Sequence, residues 1–180
     1  MRPPRALTAS FDSDSERETM RLAARLAKRA RPGSVLCLAG PLGSGKTTFA
    51  RGFLRGLGFK GAVRSPTFVL INEYRKVRPP VYHVDLFRAG AGDLENTGLE
   101  ECLCDPGAVC LIEWPEAALG LLPRDRLEIV FRHARGGGRG LRLRAAGPAS
   151  RAFLKVHGSG AGRKPSTPGS RVQGDAGGVP

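Results

Sequence analysis

Residues 40–47 read Gly40-Pro41-Leu42-Gly43-Ser44-Gly45-Lys46-Thr47, which fits G-x-x-x-x-G-K-[ST]. Each fixed position has a physical job. The glycines let the backbone turn tightly and bring successive N–H groups toward phosphate oxygens. A helix starting at the end of the loop points the positive end of its dipole at the same anion. The Lys46 ammonium can reach β- and γ-phosphates, and the Thr47 hydroxyl can ligate Mg²⁺. Such a site also needs a carboxylate for the cation, usually at the end of a neighbouring strand. Two apolar runs end in one: Val81-Tyr82-His83-Val84-Asp85 and Ala108-Val109-Cys110-Leu111-Ile112-Glu113. Lys46, Asp85 and Glu113 are thus the candidate catalytic groups, with ATP and Mg²⁺ as the implied cofactors. No Asn-Lys-x-Asp stretch is present to read guanine, so ATP rather than GTP is expected. His83, on the polar side of its strand's alternation, reads as structural rather than as a general base.

These groups need elements to hold them. Val35-Leu36-Cys37-Leu38-Ala39 is a short apolar run bounded by Pro32-Gly33, as expected of a buried strand. After the loop, Phe49, Phe53, Leu54 and Leu57 recur at helical spacing, and Gly58 sits where a C-terminal cap belongs. Strand, loop and helix are the setting a phosphate loop requires. A first helix is expected over 13–31, with Ser15 and Glu18 at capping-box spacing and Met20, Ala23, Leu26, Ala27 and Ala30 on one face. Residues 65–74 are rich in strand formers, 92–104 read as a helix with Leu94, Leu99 and Leu103 on its apolar face, and 127–131 with 141–143 read as a hairpin. The expected fold is α/β: a P-loop NTPase-like three-layer sandwich with a mainly parallel sheet and a C-terminal antiparallel hairpin. Residues 1–146 form the one domain of this reading. Residues 147–180 hold eight glycines and four prolines in 34 positions, too little apolar surface to offset ordering entropy, and read as a disordered tail.

Bulk properties narrow the class. A chain of 180 residues, 41% of them hydrophobic, suits one globular domain. No apolar run approaches the roughly 20 residues that span a bilayer, and no apolar segment follows Met1-Arg2-Pro3-Pro4-Arg5, so a cytoplasmic protein without membrane contact is expected. The formal net charge is +13, which invites a nucleic-acid partner. Residues 145–180 carry five basic groups and one acidic group, a net +4, and the other +9 is spread over the rest. Spread charge of this kind does not make a binding stripe, so any nucleic-acid contact is expected to be indirect. Cys37 and Cys110 sit in strand-like runs, and Cys102 and Cys104 lack a second pair at zinc spacing, so free thiols are expected.

Four blocks stand in order: Gly40 to Thr48, Ser65-Pro66-Thr67-Phe68, Tyr82-His83-Val84-Asp85-Leu86-Phe87-Arg88 and Leu111-Ile112-Glu113-Trp114-Pro115-Glu116. Together they closely resemble the TsaE (YjeE) family, a group of small bacterial P-loop ATPases, over about residues 13–145. The resemblance implies an ATP-hydrolysing subunit acting with TsaB and TsaD, which attach threonylcarbamoyl to adenosine 37 of tRNAs that read ANN codons. It implies that Gly43, Ser44, Gly45, Lys46, Thr47 and Thr48 hold the phosphates, that Thr47 and Glu113 hold Mg²⁺, and that Asp85 supports hydrolysis. Trp114 would lie beside the site, Ser65-Pro66-Thr67 would act as a switch loop, and Glu16 and Arg139 would lie near the nucleotide. The family usually has Asp after the first loop glycine, where this chain has Pro41, which has no N–H to donate. The competing reading is a small-molecule kinase on the same scaffold. A kinase usually carries an arginine-bearing lid, and no distinct lid insertion falls between 85 and 113.

Overall fold

The computed structural model describes residues 6–90, 94 and 97–154. Its elements are β1 (Leu7–Ser13), α1 (Glu16–Ala27), β2 (Val35–Ala39), α2 (Lys46–Gly56), β3 (Ile71–Tyr74), β4 (Val81–Asp85), α3 (Leu99–Cys104), β5 (Val109–Glu113), β6 (Leu127–His133), β7 (Arg139–Ala145) and α4 (Pro148–Ala152). The strands form one sheet in the order β1-β7-β6-β2-β5-β4-β3. β6, β2, β5 and β4 run parallel, and antiparallel partners extend both sides: β7 with β1 beyond β6, and β3 beyond β4. The expected α/β class, parallel centre and C-terminal hairpin are all present.

The centre is apolar for a reason. β2 and β5 are covered on both faces, so neither can alternate. Leu36, Leu38, Leu111 and Ile129 face α1 and α2 together with Phe49, Phe53 and Leu26. On the other face Val35, Cys37, Val84, Cys110 and Ile112 pack under Leu99, Cys102 and a short 3₁₀ turn at Pro115–Ala118. This third layer is confined to the middle strands; on β7 and β6 Arg142, Arg144 and Arg132 are exposed. α1 and α2 approach closely because two glycines on α2 permit it. A Cβ at Gly52 would come within 2.5 Å of Met20 Cα, and one at Gly56 within 2.6 Å of Ala24 Cα. That contact fixes how α2, and so the loop that opens it, sits on the sheet.

Several boundaries differ from expectation. α1 starts at Glu16 rather than 13, because Ser15 is its N-cap, its hydroxyl accepting from the Glu18 N–H at 3.2 Å, while Ser13 closes β1. β1 itself went unread; its Leu7, Ala9 and Phe11 alternate with Thr8, Ser10 and Asp12, the one signal available. Only 71–74 of the strand-rich stretch 65–74 pairs. Pro66 instead opens a turn, its carbonyl accepting from Val69 and Leu70 N–H, and Leu70 takes φ 63°. α3 is much shorter than 92–104, since Gly98 at φ 78° breaks the helical path before Leu99; residues 91–93 and 95–96 lie outside the described residues.

The domain also ends later than residue 146. α4 follows β7 directly, and Phe153 and Leu154 are buried in the α1/α2 core at 1% and 6% exposure. Asp125 holds this helix by accepting from Ala149 N–H at 2.8 Å and Ser150 N–H at 2.9 Å. The rest of the glycine-rich tail, 155–180, lies outside the described residues. No helix among the described residues is long and apolar enough to cross a membrane.

Candidate functional site

The parallel register decides where the site lies. Asp85 of β4 pairs with Glu113 of β5, and Glu113 with Leu38 of β2. Both carboxylates therefore end their strands beside the loop that follows β2, at the C-terminal sheet edge where ligands of open α/β sheets sit. A cleft of about 350 Å³ opens there, and Gly43, Gly45, Lys46, Thr47, Thr48, Asp85, Glu113, Trp114, Glu16 and Arg139 all line it. Ser65, Thr67, Leu42 and Phe87 complete the wall.

The loop has the backbone its glycines were expected to allow. Gly43 and Gly45 take φ 73° and 101°, and nothing lies within 4 Å of where a Gly43 Cβ would be. Gly40, at φ 137°, has a second reason to be glycine: a Cβ there would lie 2.6 Å from the Phe131 carbonyl oxygen. Ser44 is the one predicted residue off the cleft wall. It is fully buried, and its hydroxyl has no partner.

Lys46 is almost fully buried. Its ammonium donates to the carbonyls of Gly40 at 2.7 Å and Pro41 at 2.9 Å, and lies 3.7 Å from the Trp114 ring centroid. Burial pulls its pKa below the ordinary lysine value, although Glu113, Asp85 and Glu116 work against that shift. Pro41 thus contributes the one polar backbone group it has, an acceptor. Trp114 reaches this place from an unusual backbone, φ 57° and ψ 57°, and its ring lies 4.8 Å from that of Phe87.

The two carboxylates are engaged differently. Glu113, 2% exposed, accepts from the Thr47 hydroxyl at 3.0 Å on Oε2 and shares a 2.8 Å hydrogen bond with His83 Nε2 on Oε1. Asp85, 3% exposed, accepts from the Ser65 hydroxyl at 2.7 Å and from the Thr67 hydroxyl on Oδ2, and from the Phe87 N–H at 3.0 Å on Oδ1. The Ser65–Thr67 turn is therefore tied to the cleft through Asp85. At the far side Arg139 reaches across the loop; its guanidinium is 4.0 Å from Glu16, and a Cβ on Gly45 would sit 2.9 Å from its Nε. Phe87 and Leu42 went unread as wall residues, because an aromatic or a leucine in a loop carries no chemical signature. His83 is not on a solvent face, as its strand's alternation suggested, but fully buried.

An oxygen-only donor set of a hydroxyl and a carboxylate suits a hard cation such as Mg²⁺. The glycine loop and the lysine suit an anion such as a phosphate chain. The cysteines offer no comparable chemistry: all four are free, and burial raises the Cys37 and Cys110 thiols to about 12.

Fold and cleft together define a P-loop α/β protein. The chain belongs to the TsaE family: the model described as "Threonylcarbamoyl adenosine biosynthesis protein TsaE" matches residues 13–141. It is similar to the tRNA threonylcarbamoyladenosine biosynthesis protein TsaE of Bacillus subtilis, 43% identical over 130 residues, covering 72% of this chain and 81% of that protein. The Treponema pallidum protein of the same name is 37% identical over 128 residues, covering 71% of this chain and 93% of its own length. The crystal structure of Bacillus subtilis YdiB superimposes with a TM-score of 0.73 at 33% identity, covering 84% of this chain and 94% of that one.

Proposed function

We propose that this chain is a P-loop ATPase of tRNA threonylcarbamoyladenosine synthesis. In this reading it binds ATP with Mg²⁺ in the cytoplasm and acts with TsaB and TsaD in modifying adenosine 37 of tRNAs that read ANN codons. The name carried by its family and by its relatives supports the pathway. The observation that supports the chemistry is the convergence of Lys46, the Thr47–Glu113 pair and Asp85 on one cleft beside a glycine loop.

Gly43 to Thr48 cradle the phosphates, and the Lys46 ammonium exchanges its two carbonyl acceptors for phosphate oxygens. The Thr47 hydroxyl has one hydrogen, already given to Glu113, and keeps its lone pairs for the cation. Thr47 and Glu113 would hold Mg²⁺, which would supply positive charge to offset what develops on the phosphates. Arg139 and Glu16 border the nucleotide on the open side. Asp85, holding Ser65 and Thr67, lets that turn respond to the γ-phosphate. Among the described residues, the buried carboxylates of the cleft, Asp85 and Glu113, are already hydrogen-bonded, so in this reading hydrolysis by the isolated chain is slow and a partner accelerates it.

The test is reconstitution of tRNA modification from purified TsaB, TsaD and a threonylcarbamoyl donor, with and without this chain, alongside phosphate release. Repeated turnover should need the chain and ATP. Full turnover without it, or fast ATP consumption unchanged by TsaB and TsaD, would overturn the assignment.

A further inference from the structure

His83 holds a place that a leucine would fill more cheaply. It lies mid-strand on β4, on the face that packs under α2, between Val81 and Asp85. It is fully buried and does not line the cleft, so it cannot touch a nucleotide there. Among the described residues its ring meets one polar group. Nε2 lies 2.8 Å from Glu113 Oε1, and Nδ1 has no partner. A buried polar group is tolerated when its hydrogen bond returns something. Here it fixes one oxygen of a buried carboxylate.

We infer that His83 is a positioning residue. It donates from Nε2 to Glu113 Oε1 and sets the carboxylate plane, so that Oε2 stays on Thr47 and toward the cation. The inference rests on Glu113 as the cation-side carboxylate. The geometry is that of a two-point clamp: Thr47 holds Oε2 at 3.0 Å and His83 holds Oε1 at 2.8 Å. With one donor gone, the carboxylate is free to rotate about its last bond, and Oε1 is left buried without a partner. Groups that orient a metal's ligands typically change metal affinity by about 10- to 100-fold when removed.

The test compares H83Q and H83N. The Gln amide nitrogen reaches where Nε2 is; the Asn amide nitrogen stops near Nδ1. Mn²⁺ affinity is read by electron paramagnetic resonance in the presence of a non-hydrolysable ATP analogue, and analogue affinity is read separately in chelator. H83N should lose about tenfold or more in Mn²⁺ affinity, and H83Q should stay within about threefold of the parent chain. Analogue affinity in chelator should not move, and H83N should add no further loss in an E113Q background. Parent-like Mn²⁺ binding by H83N overturns the inference, as do equal losses in H83N and H83Q, a loss that persists in chelator, or additivity with E113Q. Thermal melts accompany each variant. If H83N does not fold, H83Q decides: retained Mn²⁺ affinity supports the donor role and a tenfold loss overturns it. If the parent chain shows no Mn²⁺ dependence at all, the reading of Glu113 itself fails and the inference falls with it.

Discussion

Lys46→Ala should weaken Mg-ATP binding by about 10- to 150-fold, and the size follows from what Lys46 already does. Charge-assisted hydrogen bonds contribute roughly 1.5–3 kcal/mol each, so two made to phosphate oxygens amount to about 3–6 kcal/mol gross. The ammonium does not start free. It gives up bonds of 2.7 Å and 2.9 Å to Gly40 and Pro41, and a position 3.7 Å over Trp114. Those contacts return about half of the gross gain, which leaves about 1.5–3 kcal/mol net, at about 1.4 kcal/mol per tenfold in affinity. Titration calorimetry with ATP and Mg²⁺ measures the loss. A second readout comes from the same geometry. Trp114 is the sole tryptophan, and departure of the cation from its ring should change its emission when nucleotide binds. In the Lys46→Ala variant that change should shrink or vanish. ATP affinity within threefold of the parent chain, with an unaltered emission change, would refute the premise that Lys46 moves from loop carbonyls to phosphate.

Three further outcomes are expected. Glu113→Gln keeps the shape but loses the anionic oxygen beside Thr47, so nucleotide affinity should fall with Mg²⁺ present and stay level in chelator; equal losses would make the role purely structural. Phe153→Ala should lower Tm by about 6 °C or more, since emptying a buried phenylalanine site costs about 3 kcal/mol or more and each kcal/mol shifts a domain this size by about 2–4 °C; truncation after Leu154 should move Tm by less than about 2 °C. Asp125→Asn should cost about 1 kcal/mol at pH 7, because Asn keeps one oxygen for the Ala149 and Ser150 N–H groups and loses the charge that strengthens both bonds. Burial alone would raise the Asp125 carboxyl, but donors from Ser150 and Ala149 outweigh it and hold the pKa below the usual value. A depressed folded pKa gives stability that is present above the unfolded value of about 3.9 and lost as pH falls through the folded one, so the two proteins' melting temperatures should converge below about pH 4; a gap unchanged down to pH 2 would remove the charge from the explanation.

The parts of the site that could be read from sequence are those where chemistry dictates residue type. Gly43, Gly45, Lys46 and Thr47 are fixed by backbone angle, charge and hydroxyl, and apolar runs ending in Asp85 and Glu113 follow from parallel strands buried on both faces. What escaped was decided by contacts distant in sequence. Phe68 and Val69 look like strand residues, yet stand 83% and 64% exposed, because Asp85 takes the hydroxyls of Ser65 and Thr67 and holds the chain in a turn. β1 is an edge strand with weak alternation, legible only once β7 is there to pair with it. The last turn of the domain was hidden by averaging: glycine and proline dominate 147–180, but Phe153 and Leu154 find a core that composition cannot show. Alternation alone places His83 on a polar face, while the face it shares with Val81 and Asp85 is buried throughout.

The groups that would meet a nucleotide are already satisfied by one another. Lys46 is held by two carbonyls, Thr47 by Glu113, and Ser65 and Thr67 by Asp85. A cleft arranged in this way pays little to order its side chains on binding, since they are in place beforehand. It also makes binding an exchange of partners, so affinity is set by differences between bonds rather than by their sum. The exchanges differ in reach. Those at Lys46 and Thr47 stay within the loop and the end of β5. The one at Asp85 involves a turn whose next two residues, Phe68 and Val69, are apolar and exposed. If a γ-phosphate draws Thr67 from Asp85, those two side chains move with it, because the turn is closed by hydrogen bonds from Val69 and Leu70 to Pro66. A change of one phosphate would then move an exposed apolar pair that follows a cleft residue, Thr67, in sequence, a form in which a signal can reach a protein partner.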